Sequence, residues 1–381
     1  MKSGNRPYSP ELDQLRGLAA ILVIYYHSIQ RGYYTLDGEG WIIGGSPLET
    51  FVYEGHTAVS LFLVLSGFVL ARGLFGREVS YRRFLRNRVL RIFPLMTFLV
   101  VFAIYGSKEY SLSELLAPLL LPTNTSIAFT DHTELTGTLW TITVLFQFYL
   151  IAPLLIAFVT RGGLLRFLLP TMLLVFAVKA IVLYANRFES EDLFAISYYS
   201  IVGRFNQFMV GIGLAFVWPA VERLAAKRRI SVAIMAAAFA ILLAYSYALN
   251  RAGGIMEWRT WHVLVPEFEA VVWAAFIAGF VLARPIASPR IGRLLASLGL
   301  VSYSLYVMHW PIHVVAWQVY EESGLALFDS LAGVAWFTTL IVLPVSLVMA
   351  VLSYWCLERP FLGLRQRYVE SNPPVLSRAA A

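Results

Sequence analysis

Arg16 and His27 stand eleven positions apart in one apolar stretch, LDQLRGLAAILVIYYH. On an α-helix that spacing is about 16 Å along the axis and close to three full turns, so the two side chains share a face. A guanidinium at one end of such a face suits a phosphate-bearing ligand. An imidazole farther in suits proton transfer, because its pKa lies near working pH. The pair predicts one cavity that joins the cation to the imidazole. The same spacing also fits a plainer account, in which Arg16 marks the cytoplasmic edge of a span and His27 is a satisfied interfacial histidine.

Other polar residues sit where hydrocarbon should exclude them, at a cost of about 2.5–3.5 kcal/mol each on insertion scales. In YRRFLRNRVLRIFP, Arg88 and Arg91 are three apart on one helical face, with Pro94 to bend or cap the backbone beside them. Such a pair can hold phosphates, although a basic cluster at this place also suits anionic lipid headgroups. Ser302, Tyr303, Tyr306 and His309 recur at helical spacing before Trp310-Pro311, a stripe that fits packing and interfacial anchoring as well as catalysis. Arg204, with Asn206 and Gln207 nearby, needs a partner or a watery cavity that the sequence does not name. Lys179 is expected to snorkel. Ser66-Gly67 reads as a close helix–helix contact rather than a nucleophile elbow. His56 and His132 are expected in outer loops, too far apart in sequence to suggest metal ligation. Walker, Gly-x-Ser-x-Gly, HExxH and paired-cysteine patterns are absent.

The elements that position these residues follow from composition. The 381 residues are 59% hydrophobic and only 14% charged, against ~25% charged in soluble proteins. Apolar runs of nearly 20 residues recur from end to end, enough for a ~30 Å hydrocarbon layer. The reading is an all-α polytopic membrane protein with ten spans, near 13–30, 56–75, 89–106, 138–159, 164–185, 198–218, 230–249, 264–283, 297–319 and 331–356. A short amphipathic piece at Tyr81–Arg88 precedes the third span, and Ser113–Leu121 is expected to form a partial helix. With the N-terminus inside, 23 of the 30 Lys and Arg fall on the cytoplasmic side and only Arg31, Lys108, Arg187, Arg251 and Arg259 outside. That asymmetry obeys the positive-inside rule and puts both termini in the cytoplasm. The spans are expected to contain no acids. The net charge of +7 sits in short clusters rather than on a continuous face, which argues against nucleic-acid binding. Cys356 is alone, so no intrachain disulfide forms; it is expected to pack in the last span. No cleavable signal peptide is visible, and residues 1–381 read as a single domain with no fused extracytoplasmic domain.

Several segments together resemble the acyltransferase-3 family of integral membrane O-acyltransferases. The opening stretch Leu12–His27 is similar to that family's Arg-to-His signature, and SLFLVLSGFVLA at Ser60–Ala71 to its second-span motif. RNRVLRIFP at Arg86–Pro94 matches an Arg-x-x-Arg-Ile-x-Pro element, and Gly137–Pro153 a Trp-to-Phe-Tyr-to-Pro motif. Leu298–Ile312 and LERPF at Leu357–Phe361 resemble its closing motifs.

The resemblance implies acyl transfer, commonly of acetyl, from cytoplasmic acyl-CoA to a hydroxyl, usually on a sugar, in the bacterial inner membrane. It makes His27 the base, gives donor binding to Arg16, Arg88 and Arg91, and calls for no metal. Asp13, Ser66, Trp140, Tyr149, Arg204, Tyr306, His309 and Glu358 are candidates for supporting roles. One departure stands out. Relatives often carry a Glu five residues after the motif Trp, where this chain has Leu145, with Gln147 nearby and Glu134 as a substitute. Direct transfer is favoured because no convincing nucleophile is present, with a ping-pong route through His27 or Ser66 left open. The expected partners are membrane lipids and a carbohydrate or glycosylated acceptor; the acceptor's identity and the oligomeric state are not legible. A glycoconjugate transporter or flippase is the alternative, disfavoured by the lack of repeats and of intramembrane acids, and an inactive scaffold is a third reading.

Overall fold

The computed structural model describes residues 9–36, 38–106, 137–185, 197–255, 260–325 and 327–369. Ser113–Leu121, His132 and Glu134 lie outside these. The described chain is all-helical apart from loops and one isolated antiparallel bridge, Val79 to Val369. Its longer helices are α1 (Pro10–Thr35), α3 (Thr57–Leu74), α4 (Tyr81–Gly106), α5 (Leu139–Gly163), α6 (Leu169–Ala185), α7 (Ile201–Leu224), α8 (Arg228–Arg251), α9 (Val265–Ala283) and α11 (Ser302–Ser323). Short α2 (Pro47–Tyr53) and α10 (Pro289–Leu300) precede α3 and α11. The last apolar stretch is one 33-residue run, Leu331–Gly363, built from α12 (Leu331–Phe337), α13 (Leu343–Ser353) and α14 (Arg359–Gly363) with π-helical turns between them.

Helix starts follow local chemistry. Proline occupies the first turn of α1, α2, α9 and α10, where its missing N–H costs nothing. Ser46 and Glu49 close a capping box on α2, and Ser200 accepts from the Gly203 amide to cap α7.

Among the described residues six helical stretches are long and apolar enough to cross a membrane, or seven if the bent pair α10–α11 counts as one span. Much of the outer surface is apolar, with Leu165, Leu173, Ile181, Val271 and Leu340 all more than half exposed. This is a multi-pass membrane protein. Helices α1 and α4 are 26 residues long but are not among the six; α1 carries Glu11, Asp13, Arg16 and Arg31, and α4 gathers its five arginines in the part before Ile92. One of the six stretches, Leu139–Ala185, spans 47 residues and folds back on itself. Gly163 takes φ 67°, and Phe158 stacks on Phe167 at 5.0 Å, where a straight helix would separate them by about 13.5 Å. The two arms therefore run in opposite directions along α7. Phe148 lies on Phe208 and Gly163 near Phe216, and then Leu168 lies at Gly213 and Met172 at Asn206.

Several expectations need correction. The third span has no separate amphipathic lead-in, since α4 is continuous from Tyr81 through Pro94. The ninth begins later than expected, at Ser302, because a 71° bend at Val301 separates it from α10. Helix α10 exposes Ile291 and Leu294 beside Arg290 and Arg293, the composition of a helix that lies in the membrane interface. The spans do contain acids: Glu269 in α9 and Glu358 in the last run are fully buried. Cys356 does not pack inward but is exposed on the apolar surface.

Glycine decides the crossing of α3 with α7. A Cβ on Gly67 would come within 2.2 Å of the Phe208 carbonyl oxygen, and one on Gly211 within 2.2 Å of that of Val64. Helices α3 and α7 therefore touch backbone to backbone, the close contact that Ser66-Gly67 suggests. Gly67→Ala or Gly211→Ala is expected to cost about 1–3 kcal/mol through overpacking, seen as a lower melting temperature in detergent. Gly363→Ala, with nothing within 4 Å of its Cβ, is expected to leave that temperature unchanged or raise it.

Candidate active site

Helix α11 carries the axis of the site. Its start lies beside α4, where the Tyr303 hydroxyl donates to the Ile92 carbonyl at 2.6 Å. One turn on, the Tyr306 hydroxyl bonds Thr141 of α5 at 2.8 Å. Another turn brings His309 against α1, stacked on His27 with 5.5 Å between ring centroids. Trp310 meets His27 edge-on at 4.8 Å, and His313 lies 6.5 Å away. His27 is partly accessible, whereas His309 and His313 are buried. His309 Nδ1 lies 2.6 Å from the Tyr306 carbonyl, which it can reach only as an N–H donor, so its Nε2 is the nitrogen left without a partner. The free Nε2 of His309 can accept a proton, and the stacked ring fixes the orientation of His27.

At the basic end of the bundle the guanidiniums gather. Arg88 lies over the rings of Phe84 and Tyr149 at 4.9 and 5.0 Å and donates to the Tyr368 hydroxyl at 3.2 Å. Arg91 lies 5.9 Å from the Tyr303 ring. Glu358 of the last run accepts from Ser304 and interacts with Arg91 and Arg365. Tyr303 and His309 are six residues apart, about 9 Å along α11, so one helix links this cation cluster to the imidazoles.

Arg16 is not part of that gathering. It pairs with Asp13 at 2.6 Å and lines a cavity of about 640 Å³ with Arg72, Trp218, Glu222, Arg228 and Arg284. His27 is not among the residues that line this cavity, so it is not the joint chamber that the Arg16–His27 spacing suggests. Between them the helix face is closed by buried Ala20 and Val23.

A third group, nearly all of it missed in the sequence, lies beyond the imidazoles. Glu54 and His56 precede α3, and both are buried. Glu54 accepts from the Trp41 indole at 2.8 Å and from Asn250 at 3.2 Å, and His56 Nε2 lies 3.1 Å from its other oxygen. On its far side, His56 Nδ1 is 4.0 Å from Glu269, which also accepts from Ser60 and, at 3.0 Å, from Tyr245. Arg204 donates to the Tyr198 carbonyl at 2.8 Å and sits 4.0 Å over the Tyr198 ring, with Trp140 at 5.8 Å. His56 thus lies in the turn between α2 and α3, but as a buried, bracketed group rather than an exposed one. Lys179 does not snorkel: it is fully buried and pairs with Glu267 at 2.5 Å. Tyr26 joins this network to the imidazoles, 4.7 Å from His27 and 6.1 Å from His56.

The structure thus gathers Arg88, Arg91, Tyr149 and Glu358 at one end of α11, and His27, Tyr306 and His309 midway. Arg204 and Trp140 stand together in the third group, Asp13 and Arg16 apart in theirs. Ser66 lies on the crossing of α3 with α7, and Leu145 packs against the apolar core. Among the described residues no group of three or more His, Cys, Asp or Glu is arranged to hold a metal ion.

The chain is similar to several known proteins. The family model described as "Acyltransferase domain" matches residues 9–358. O-acetyltransferase OatA of Staphylococcus aureus (strain NCTC 8325 / PS 47) is 23% identical over 93% of this chain and 57% of its own. Putative membrane-bound transacylase BcsY of Komagataeibacter xylinus is 26% identical, over 97% of this chain and 85% of its own. Putative peptidoglycan O-acetyltransferase YrhL of Bacillus subtilis (strain 168) is 26% identical, over 94% and 56%. The chain spans a little over half the length of the first and third of these. No solved structure matches. The family match takes in the cation cluster of α4, the imidazoles of α1 and α11, and the buried carboxylates between them. The chain belongs to the acyltransferase domain family, the group of multi-pass membrane O-acyltransferases that its sequence motifs resemble.

Proposed function

We propose that the protein moves an acyl group, acetyl in the first instance, from cytoplasmic acyl-CoA to a hydroxyl of a carbohydrate or glycosylated acceptor in the bacterial inner membrane. The basic end of the bundle, with Arg88, Arg91 and the start of α1, faces the cytoplasm, and the chain crosses ten times. Positive-inside asymmetry supports that orientation. The observation that carries the reading is the geometry of α11: Tyr303 stands beside Arg91 and His309 lies on His27, about 9 Å apart along one rigid helix. A phosphate group held at Arg88 and Arg91 leaves the pantetheine arm to bring its thioester to His27.

The chemistry then needs little else. A sugar hydroxyl is a poor nucleophile, and neutral His27 takes its proton as the oxygen attacks the thioester carbonyl. The C–S bond breaks, the ester forms, and the imidazolium returns its proton to the departing thiolate. His309, stacked on His27 and hydrogen-bonded to the Tyr306 carbonyl, holds the ring in place. No covalent enzyme intermediate is required. The names of the S. aureus and B. subtilis relatives support acetyl as the group and a cell-wall sugar as one candidate acceptor.

A second reading, a glycoconjugate transporter, draws on the buried acids that the sequence conceals. Glu54, Glu269 and the Lys179–Glu267 pair are the sort of intramembrane charges that line translocation paths. Purified protein incubated with labelled acetyl-CoA separates the two: release of CoA with label transfer supports the enzyme, and substrate movement without it supports the transporter.

His27→Ala is expected to lower kcat by about 10²–10⁴-fold while the protein still inserts and purifies as wild type. Full turnover by that variant would remove the general base. Arg88→Gln and Arg91→Gln are each expected to raise KM for acetyl-CoA by about tenfold with a smaller change in kcat. An unaltered KM in steady-state kinetics would place the donor elsewhere.

A further inference from the structure

Past the last helix the chain doubles back as a strap across the start of α4. Asn87 holds it by both backbone groups of one residue, donating to the Gln366 carbonyl at 2.6 Å and accepting from the Gln366 amide at 3.0 Å. The Ser80 amide donates to the Tyr368 carbonyl at 2.9 Å, Val79 bridges Val369, and Tyr368 receives Arg88. These bonds fix Arg365 one residue before the Asn87 clamp, beside Arg88 and Arg91.

Three guanidiniums in one place repel each other, and burying them adds a desolvation cost. Burial, and then the like charges of Arg91 and Arg88, push the Arg365 guanidinium down to about 10. The carboxylate that interacts with them, Glu358, also accepts from Ser304. The Nε–H groups of Arg88 and Arg365 are both buried and have no hydrogen-bond partner. A lone lipid-facing cation needs no such arrangement, because a flexible side chain at the interface reaches headgroups unaided. Three guanidinium forks, two of them with an unpaired buried Nε–H, instead match a ligand that carries several phosphate oxygens close together.

We infer that Arg365 is the third guanidinium of a diphosphate-binding site, built with Arg88 and Arg91 and held shut by the 365–369 strap. Arg365 lies beyond residue 358, where the family match ends. The inference deepens the donor assignment above and rests on it for the identity of the ligand, the diphosphate of acyl-CoA. The anion site itself stands independently.

The test uses the full chain in phosphatidylcholine nanodiscs, with CoA and inorganic pyrophosphate as calorimetric probes and thermal melting without ligand alongside. Arg365→Gln is expected to weaken both probes about tenfold without lowering the ligand-free melting temperature, because it relieves repulsion. A purely structural strap residue would lower that temperature. Arg365→Lys keeps the charge but loses the fork, and is expected to weaken both probes severalfold; it decides the matter if the Gln variant does not fold. Unchanged affinity for both probes in these variants overturns the inference, and so does failure of the wild type to bind either. A Gln variant that melts early and loses binding in step with folding also overturns it. If phosphatidylglycerol in the disc is what Arg365 retains, and the soluble probes are not, the site belongs to a lipid headgroup and the inference fails. Pyrophosphate binding that depends on Arg365, with no CoA binding in the wild type, keeps the site and removes the acyl-CoA reading.

Discussion

An ionised side chain taken out of water must find its compensation within a few ångströms, because a low-dielectric interior neither screens nor solvates it. That requirement organises this bundle. Lys179 is wholly buried and donates to Glu267 and the Val263 carbonyl, over the Phe176 ring. Arg204 is held by a carbonyl, a ring and two polar side chains. Glu54, His56 and Glu269 form a continuous row in which each acid accepts from at least two neighbours. These partners come from α3, α7, α8, α9 and the segment before α3, so the polar contacts fix how those helices are rotated about their axes. Apolar packing alone tolerates many such rotations.

The arginines at the opposite end break the pattern. Aromatic faces of Phe84, Tyr149, Tyr303 and Tyr368 surround them, and rings offset cations only weakly. A fold that balances its charges so closely elsewhere leaves this excess where a soluble anionic donor would arrive. The imbalance and the balance are two halves of one design: rigid, neutral support in the middle, and attraction at the mouth.

Much of this was legible from residue order, and the reason is periodicity. Spans declare themselves by apolar length, and Arg88, Arg91, Tyr303, Tyr306 and His309 declare themselves by helical spacing along α4 and α11. The Ser66-Gly67 contact was legible because only a small residue allows backbones to touch. Long-range pairings were not. Ser60 meets Glu269 across 209 positions, and no local pattern reports such a meeting. Glu267 and Glu269 lie in the first turns of α9, within the span read at 264–283, and His56 lies just before α3; spacing along one helix does not report what such groups meet across the bundle. Arg16 and His27 do share a helical face, but neighbouring helices decide what each end of that face meets.

The bend between α10 and α11 has a mechanical result. Gly299 lets α10 rest on the backbone of α1, since a Cβ there would come within 1.9 Å of the Asp13 oxygen. If α10 lies in the membrane interface, as its exposed Ile291 and Leu294 beside Arg290 and Arg293 suit, it is a float moored at the lipid headgroups from which α11 hangs at 71°. The depth of His309 is therefore counted in residues from that float, about 10 Å below Ser302, and does not follow the thickness of the surrounding lipid. A thicker or thinner bilayer is absorbed at the far leaflet, so the draught of the imidazoles stays constant while the opposite face of the protein rises or sinks.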